Sequence, residues 1–310
     1  IKQIVKQNYT HIFTAFRNMI QKTGIDEEKI REGDSKEIFK SLILYGQFQG
    51  IADKNAFSYL ERHSSINEIA DFDTLKEGVK DSPCPALKSF SAFRNCDYKK
   101  SEHNCRYGRE FGCILKELDC RKGSINIMIG SAFLFLKEYY QESMVNFIKE
   151  GAKHEDKKFF YTRELLKIRN IGPQTASLFL TDLFNPFFFG YKVKGIDHND
   201  FIVIDTLVHN FFHRTGILKA LGREHNYNSE FCHTEEYCKG IILEIAQKVD
   251  IRDLLEDDNF QAFEPRLIQL CIWLQCADEG RKCGGGVCNE KGPFCNDCNV
   301  ELMCDKLMIS

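Results

Sequence analysis

The stretch Leu165–Thr181, LLKIRNIGPQTASLFLT, leaves the backbone few local choices. Leu165, Leu166 and Ile168 give one short helical segment an apolar face, and Ala176, Leu178, Phe179 and Leu180 do the same for a second. Between them lies Asn170-Ile171-Gly172-Pro173. Gly172 accommodates a positive φ, and Asn170 is among the better non-glycine residues for that conformation. Pro173 suits the first turn of a helix, where its missing N–H costs nothing. The expected product is a helix–hairpin–helix over 161–185. Its second helix starts with backbone N–H groups and a helix dipole that fit a phosphate. A plain αα-corner is the competing reading.

The chain has 310 residues, a formal charge of −3 and 14 cysteines. That charge makes no global case for nucleic acid, so DNA contacts must come from local groups such as Arg163, Lys167 and Arg169. The first residues, IKQIVKQNYTHIFTAF, mix lysines with apolar residues at helical spacing and lack a secretory apolar core. No apolar run reaches membrane-span length. The expectation is a cytoplasmic protein (nucleoid-associated in a prokaryote) whose cysteines ligate metal more than they pair.

Apolar residues recur at helical spacing along almost the whole chain, and strand signals are few, so the fold class is all-α. Ile4, Tyr9, Ile12, Phe13 and Phe16 mark a first helix. Asp34 with Glu37, and Ser65 with Glu68, read as capping boxes opening further helices. Helices are also expected over Ala52–Arg62, near Met144–Ile148, from Leu207 to near Gly216, and over Tyr237–Val249 and Phe263–Cys276. Ser124–Tyr140 is apolar nearly all round, which predicts a buried helix. Residues 82–121 differ in texture and read as an insertion. Cys84, Cys96, Cys105 and Cys113 there, spaced C-x11-C-x8-C-x7-C, are a candidate second metal site for an iron–sulfur cluster or zinc. Cys232, His233 and Cys238 read as packing residues beside an amphipathic helix, and Cys271 and Cys276 as core.

Cys288, Cys295, Cys298 and Cys304 follow the pattern C-x6-C-x2-C-x5-C. Four thiolates in one compact loop suit a tetrahedral zinc or a cubane iron–sulfur cluster, and spacing alone does not separate them. Such a loop has little core of its own, so the metal would supply its folding energy.

The cysteine tail, the hairpin IRNIGPQTA and the segment IVIDT together resemble the helix–hairpin–helix DNA glycosylases of the endonuclease III type. The resemblance runs from about Asp34 to Cys304, apart from the insertion. It implies a two-lobed all-α fold with DNA bound across the cleft. Residues 35–185 would form a six-helix barrel lobe. Residues 1–34 would pack with a C-terminal lobe, 186–310, whose loop 288–304 holds a [4Fe-4S] cluster. Asp205 matches the family's catalytic aspartate, and its alternative role is a helix N-cap. Gln174 stands where bifunctional members carry the Schiff-base lysine, and an amide cannot be that nucleophile. The implied activity is monofunctional hydrolysis of the N-glycosidic bond of a damaged or mismatched base. Asn170, Ile171, Gly172, Lys167 and Arg169 would contact DNA. Gln47 would fill the space left by the flipped nucleotide, with Gln49 as a register alternative. The expected partner is lesion-bearing double-stranded DNA, bound by a monomer. The rival is a nucleic-acid-binding protein on the same fold that excises nothing or acts as a nuclease.

Overall fold

Aspartate side chains begin six of the helices among the described residues. Asp26, Asp34, Asp71, Asp156, Asp205 and Asp250 each accept a backbone N–H from the first turn of the helix that follows. The computed structural model describes residues 1–48, 58, 66–96, 113, 115, 125–227, 229–277, 300, 301, 304, 305 and 307. Among these every regular element is helical. In order they are α1 (Lys2–Thr23), α2 (Glu27–Glu32), α3 (Ser35–Gln47), α4 (Ile66–Ile69) and α5 (Phe72–Lys80). A 3-10 turn, Pro85–Lys88, precedes α6 (Phe90–Phe93), α7 (Ile125–Tyr139), α8 (Met144–Gly151), α9 (Lys157–Leu165) and α10 (Pro173–Phe184). A second 3-10 turn, His198–Phe201, precedes α11 (Thr206–Arg214), α12 (Ile217–Ala220), α13 (Ser229–Cys232), α14 (Cys238–Lys248), α15 (Ile251–Leu255) and α16 (Pro265–Cys276). The expectations for Ala52–Arg62 (apart from residue 58), Gln49, Ser65, Cys105, Cys288, Cys295 and Cys298 lie outside the described residues.

The capping box at Asp34 forms by half. Asp34 accepts from Lys36 and Glu37 N–H, but the Glu37 carboxylate takes the Asp26 N–H at 3.1 Å instead of reaching back. That bond ties α2 to α3.

The chain divides into two compact units, residues 17–201 and residues 1–16 with 202–310. The sequence reading placed the boundaries at 34/35 and 185/186. Two sets of contacts account for the difference. Arg31 donates to the Phe188 carbonyl at 3.2 Å. The segment after α10 folds back, with Phe189 N–H on the Asp182 carbonyl at 3.1 Å and Tyr191 N–H on the Leu183 carbonyl at 2.8 Å.

In the 17–201 unit the central element is α7, as its all-round apolar sequence predicts. Met128, Ile129, Phe133 and Phe135 are fully buried, and α7 packs against α3, α5, α6 and α8. Tyr161 of α9 is also fully buried, and its hydroxyl donates to the Ile148 carbonyl of α8 at 2.6 Å. In the other unit α11 and α14 both pack on α16. The start of α1 joins them through Ile4, Val5 and Asn8, whose amide donates to the Cys271 carbonyl at 3.4 Å. No helix among the described residues is long and apolar enough to cross a membrane. A Tyr161→Phe chain should lose about 0.5–1.5 kcal/mol, the net worth of one buried hydrogen bond, since the Ile148 carbonyl keeps the Ala152 N–H; the loss is read as a lower denaturation midpoint.

Candidate functional site

The turn between α9 and α10 is built differently from its sequence expectation. Asn170 takes the left-handed conformation, with φ 61°. Gly172 does not: it has φ −91° and ψ 170°, ordinary extended values, and serves as N-cap to α10. Pro173 occupies the first turn as expected, and no side chain caps this helix. A Cβ placed on Gly172 would meet nothing within 4 Å. Ile171 turns its side chain inward and donates its N–H to the Ile168 carbonyl at 3.2 Å. Leu165 and Ile168 are buried, whereas Leu166 is exposed. Asn170 and Gln174 are both exposed.

Helix α7 fixes this turn at two points. Arg169 N–H donates to the buried Ser131 hydroxyl at 3.0 Å. At the other point Glu164, buried at the end of α9, accepts from the Tyr140 hydroxyl at 3.1 Å. Glu164 also pairs with Arg163 at 2.9 Å and Lys167 at 2.6 Å. The Arg169 guanidinium donates to the Cys96 carbonyl. The basic residues beside the turn are therefore held by the protein's own acceptors. Burial pushes the Glu164 carboxyl up, but hydrogen bonds from Lys167, Arg163 and Tyr140 outweigh it and hold the group below its ordinary value. A depressed carboxylate stabilises the fold above its unfolded-state pKa and loses that contribution as pH falls through the folded-state value. The chain should therefore destabilise below about pH 4.5, and Glu164→Gln should remove part of that acid limb in urea titrations taken at a series of pH values.

Asp205 caps α11, accepting the Val208 N–H at 2.9 Å. Its carboxyl is raised, first by desolvation, against the opposing effects of the Val208 N–H, Arg266 and the Trp273 indole. Arg266 and Trp273 both stand on α16. Sequence reasoning missed these two partners, although Trp273 is the single tryptophan of the chain.

Gln47 ends α3 fully buried, and neither atom of its amide finds a hydrogen-bond partner. In this position it is turned away from solvent and does not present an amide to a DNA duplex.

The cysteines expected to bind metal fall partly outside the described residues. Cys84 is buried, Cys96 and Cys113 are half-buried, and Cys105 is undescribed. Of the tail set, Cys304 is described, its thiol 3.5 Å from the Arg214 carbonyl.

The group that does assemble includes two cysteines, Cys232 and Cys238, that sequence reading assigned to packing. His209 of α11, His225 of the loop after α12, Cys232 at the end of α13 and Cys238 at the start of α14 bring their ligand atoms within 4.8 Å of one another. His209, Cys232 and Cys238 are buried and His225 is half-buried. His233, the histidine adjacent to Cys232, is not a member. The linear signature, H-x15-H-x6-C-x5-C, was present but wide at its first spacing. These four side chains could hold a metal ion. No protein-family model, no curated protein and no solved structure matches the chain.

Proposed function

We propose that this protein is a DNA glycosylase of the helix–hairpin–helix type, which flips a damaged or mismatched base from duplex DNA and hydrolyses its N-glycosidic bond. The observation that carries the reading is Gly172. Neither its φ nor any neighbour within 4 Å requires a glycine, and the helix it opens has no side-chain cap. An external phosphate on the first N–H groups of α10 accounts for both facts, because a missing Cβ lets a bulky anion approach the backbone.

Asp205 supports the chemistry. Loss of a base leaves positive charge on the sugar, and a carboxylate can stabilise that charge and take a proton from the attacking water. Desolvation raises the Asp205 carboxyl above its ordinary value, the direction a general base needs, against the opposing effects of the Val208 N–H, Arg266 and Trp273. Gln174 cannot form a Schiff base, so the product is an intact abasic site. In this reading Cys288, Cys295, Cys298 and Cys304 hold a [4Fe-4S] cluster that stabilises its loop; the hydrolysis uses the protein's own side chains.

Gly172→Ala should leave stability within about 0.5 kcal/mol of the parent while weakening duplex binding at least several-fold in fluorescence anisotropy. Equal losses of stability and binding would assign the glycine to folding instead. For Asp205, ionisation costs the folded state more than the unfolded one, and that penalty is fully present above the raised folded-state pKa. Asparagine caps helices as well as aspartate does. Asp205→Asn should therefore melt no lower than the parent at neutral pH, yet lose about 10²–10⁴-fold in base release. The assay is a panel of lesion duplexes incubated with anaerobically purified protein, with strands examined before and after alkali. Cleavage seen only after alkali supports monofunctional hydrolysis. Tight binding with no base released from any duplex would leave a binding protein on this fold.

A further inference from the structure

We infer that His209, His225, Cys232 and Cys238 form a closed tetrahedral zinc site that staples α11 to α14. The argument begins with distances. Each imidazole faces both sulfurs. His209 Nδ1 lies 3.5 Å from Cys232 Sγ and 3.5 Å from Cys238 Sγ. His225 Nε2 lies 3.2 Å from Cys232 Sγ and 3.6 Å from Cys238 Sγ. Zn–N bonds of about 2.0 Å and Zn–S bonds of about 2.3 Å place the N···S edge of a regular tetrahedron at about 3.6 Å. The four observed edges, between 3.2 and 3.6 Å, cluster near that length.

The same distances decide against the other metal centres that cysteine and histidine build. A Rieske-type two-iron centre puts its histidines on one iron and its cysteines on the other, which separates nitrogen from sulfur across the cluster. A cubane spreads its ligands further still. Here the donor atoms all fall within 4.8 Å of one another, a spread that fits one ion and not a cluster. Two nitrogens and two thiolates in a tetrahedron suit zinc among the common divalent metals.

Supporting contacts set the ligands in place. His225 Nδ1 lies 2.8 Å from the Arg223 carbonyl, to which it donates. That hydrogen bond leaves the lone pair on Nε2, the nitrogen aimed at the sulfurs. The loop between the two cysteines closes over Gly240 of α14, where an added Cβ would overlap the Glu235 carbonyl. Gly240 N–H donates to the Thr234 carbonyl at 3.3 Å. The knuckle from Cys232 to Cys238 thus depends on a backbone approach that only glycine permits.

Four protein ligands leave no open coordination position, so the ion is structural. Its place in the fold gives it a further consequence, which rests on the glycosylase reading. His209 N–H donates to the Asp205 carbonyl at 3.1 Å, one turn into the helix that Asp205 caps. An ion on His209 holds the C-terminal part of that turn, and Asp205 with it. In this scheme His209 is a positioning residue.

The test is elemental analysis of the full-length untagged chain by mass spectrometry, with iron and zinc read separately. We expect about one zinc per chain at this quartet. A Cys232→Ser, Cys238→Ser double variant should lose that equivalent and keep its iron. A Cys295→Ser, Cys298→Ser variant should keep the zinc. If the first variant is insoluble, chelation of the parent chain followed by Co²⁺ addition replaces it. The expected result is the visible ligand-field spectrum of tetrahedral cobalt with two-thiolate charge transfer, and a melting temperature that falls on chelation and recovers with Zn²⁺. Zinc unchanged in the first double variant would overturn the proposal. So would a Cys232–Cys238 disulfide in freshly isolated protein, or a parent chain with neither bound zinc nor a tetrahedral cobalt spectrum. None of these readings depends on base excision, so a failed glycosylase assay leaves the zinc result intact.

Discussion

A helix buried on every side from Asn126 to Leu136 must be surrounded, and in the 17–201 unit that helix is α7. Its apolar residues draw in α3, α5, α6 and α8. The few polar groups it carries then become fixed points. Ser131 is fully buried and would be stranded without a partner; it receives the Arg169 N–H. Tyr140, directly after the helix, gives its hydroxyl to Glu164. One end of the turn before α10 and the end of α9 are therefore both pinned to the same buried element. The turn inherits the rigidity of the core, although its own residues are largely exposed. A pre-set backbone is what an anion site at a helix start requires, because N–H groups that must first be ordered bind weakly.

In the other unit the organising element is α16. It packs against α11 and α14, and it supplies Arg266 and Trp273 to Asp205. Asp205 is at once a helix cap and a buried carboxylate whose ionisation burial opposes. The cap uses one oxygen toward Val208 N–H, while burial and the two α16 side chains tune the protonation of the whole group. Two of the quartet, His209 and Cys238, stand on the same pair of helices that α16 supports. Packing of α11 and α14 on a common apolar helix is what brings ligands separated by 29 residues to one point.

How much could be read without coordinates follows the range of each interaction. The all-α class, the buried helix over Ser124–Tyr140, the proline at the first turn of α10 and the N-caps at Asp34 and Asp205 were legible, because each depends on residues within one or two turns. Asn170 carried the signal for a left-handed residue, yet expectation gave that conformation to Gly172 as well. A glycine advertises conformational freedom, and nothing local says whether the freedom is used for φ or for the approach of something external. Gln47 looked like a turn residue because Gly46 and Gly50 bracket it as helix breakers. Helix α3 instead continues through Gly46 and buries it.

The sequence by itself determined most of the helices, the caps at Asp34 and Asp205 and the place of Pro173 in the first turn of α10, since these are settled by backbone hydrogen bonds and apolar periodicity over a few residues. Only the tertiary structure decided which polar groups met. Cys232 and Cys238 are apolar enough to pass for core, and His209 reads as one more residue on an amphipathic helix. Their ligand character appears when α11, the loop at His225, and the start of α14 converge on one point. That convergence is a property of how helices pack on α16, and no spacing along the chain encodes it in readable form.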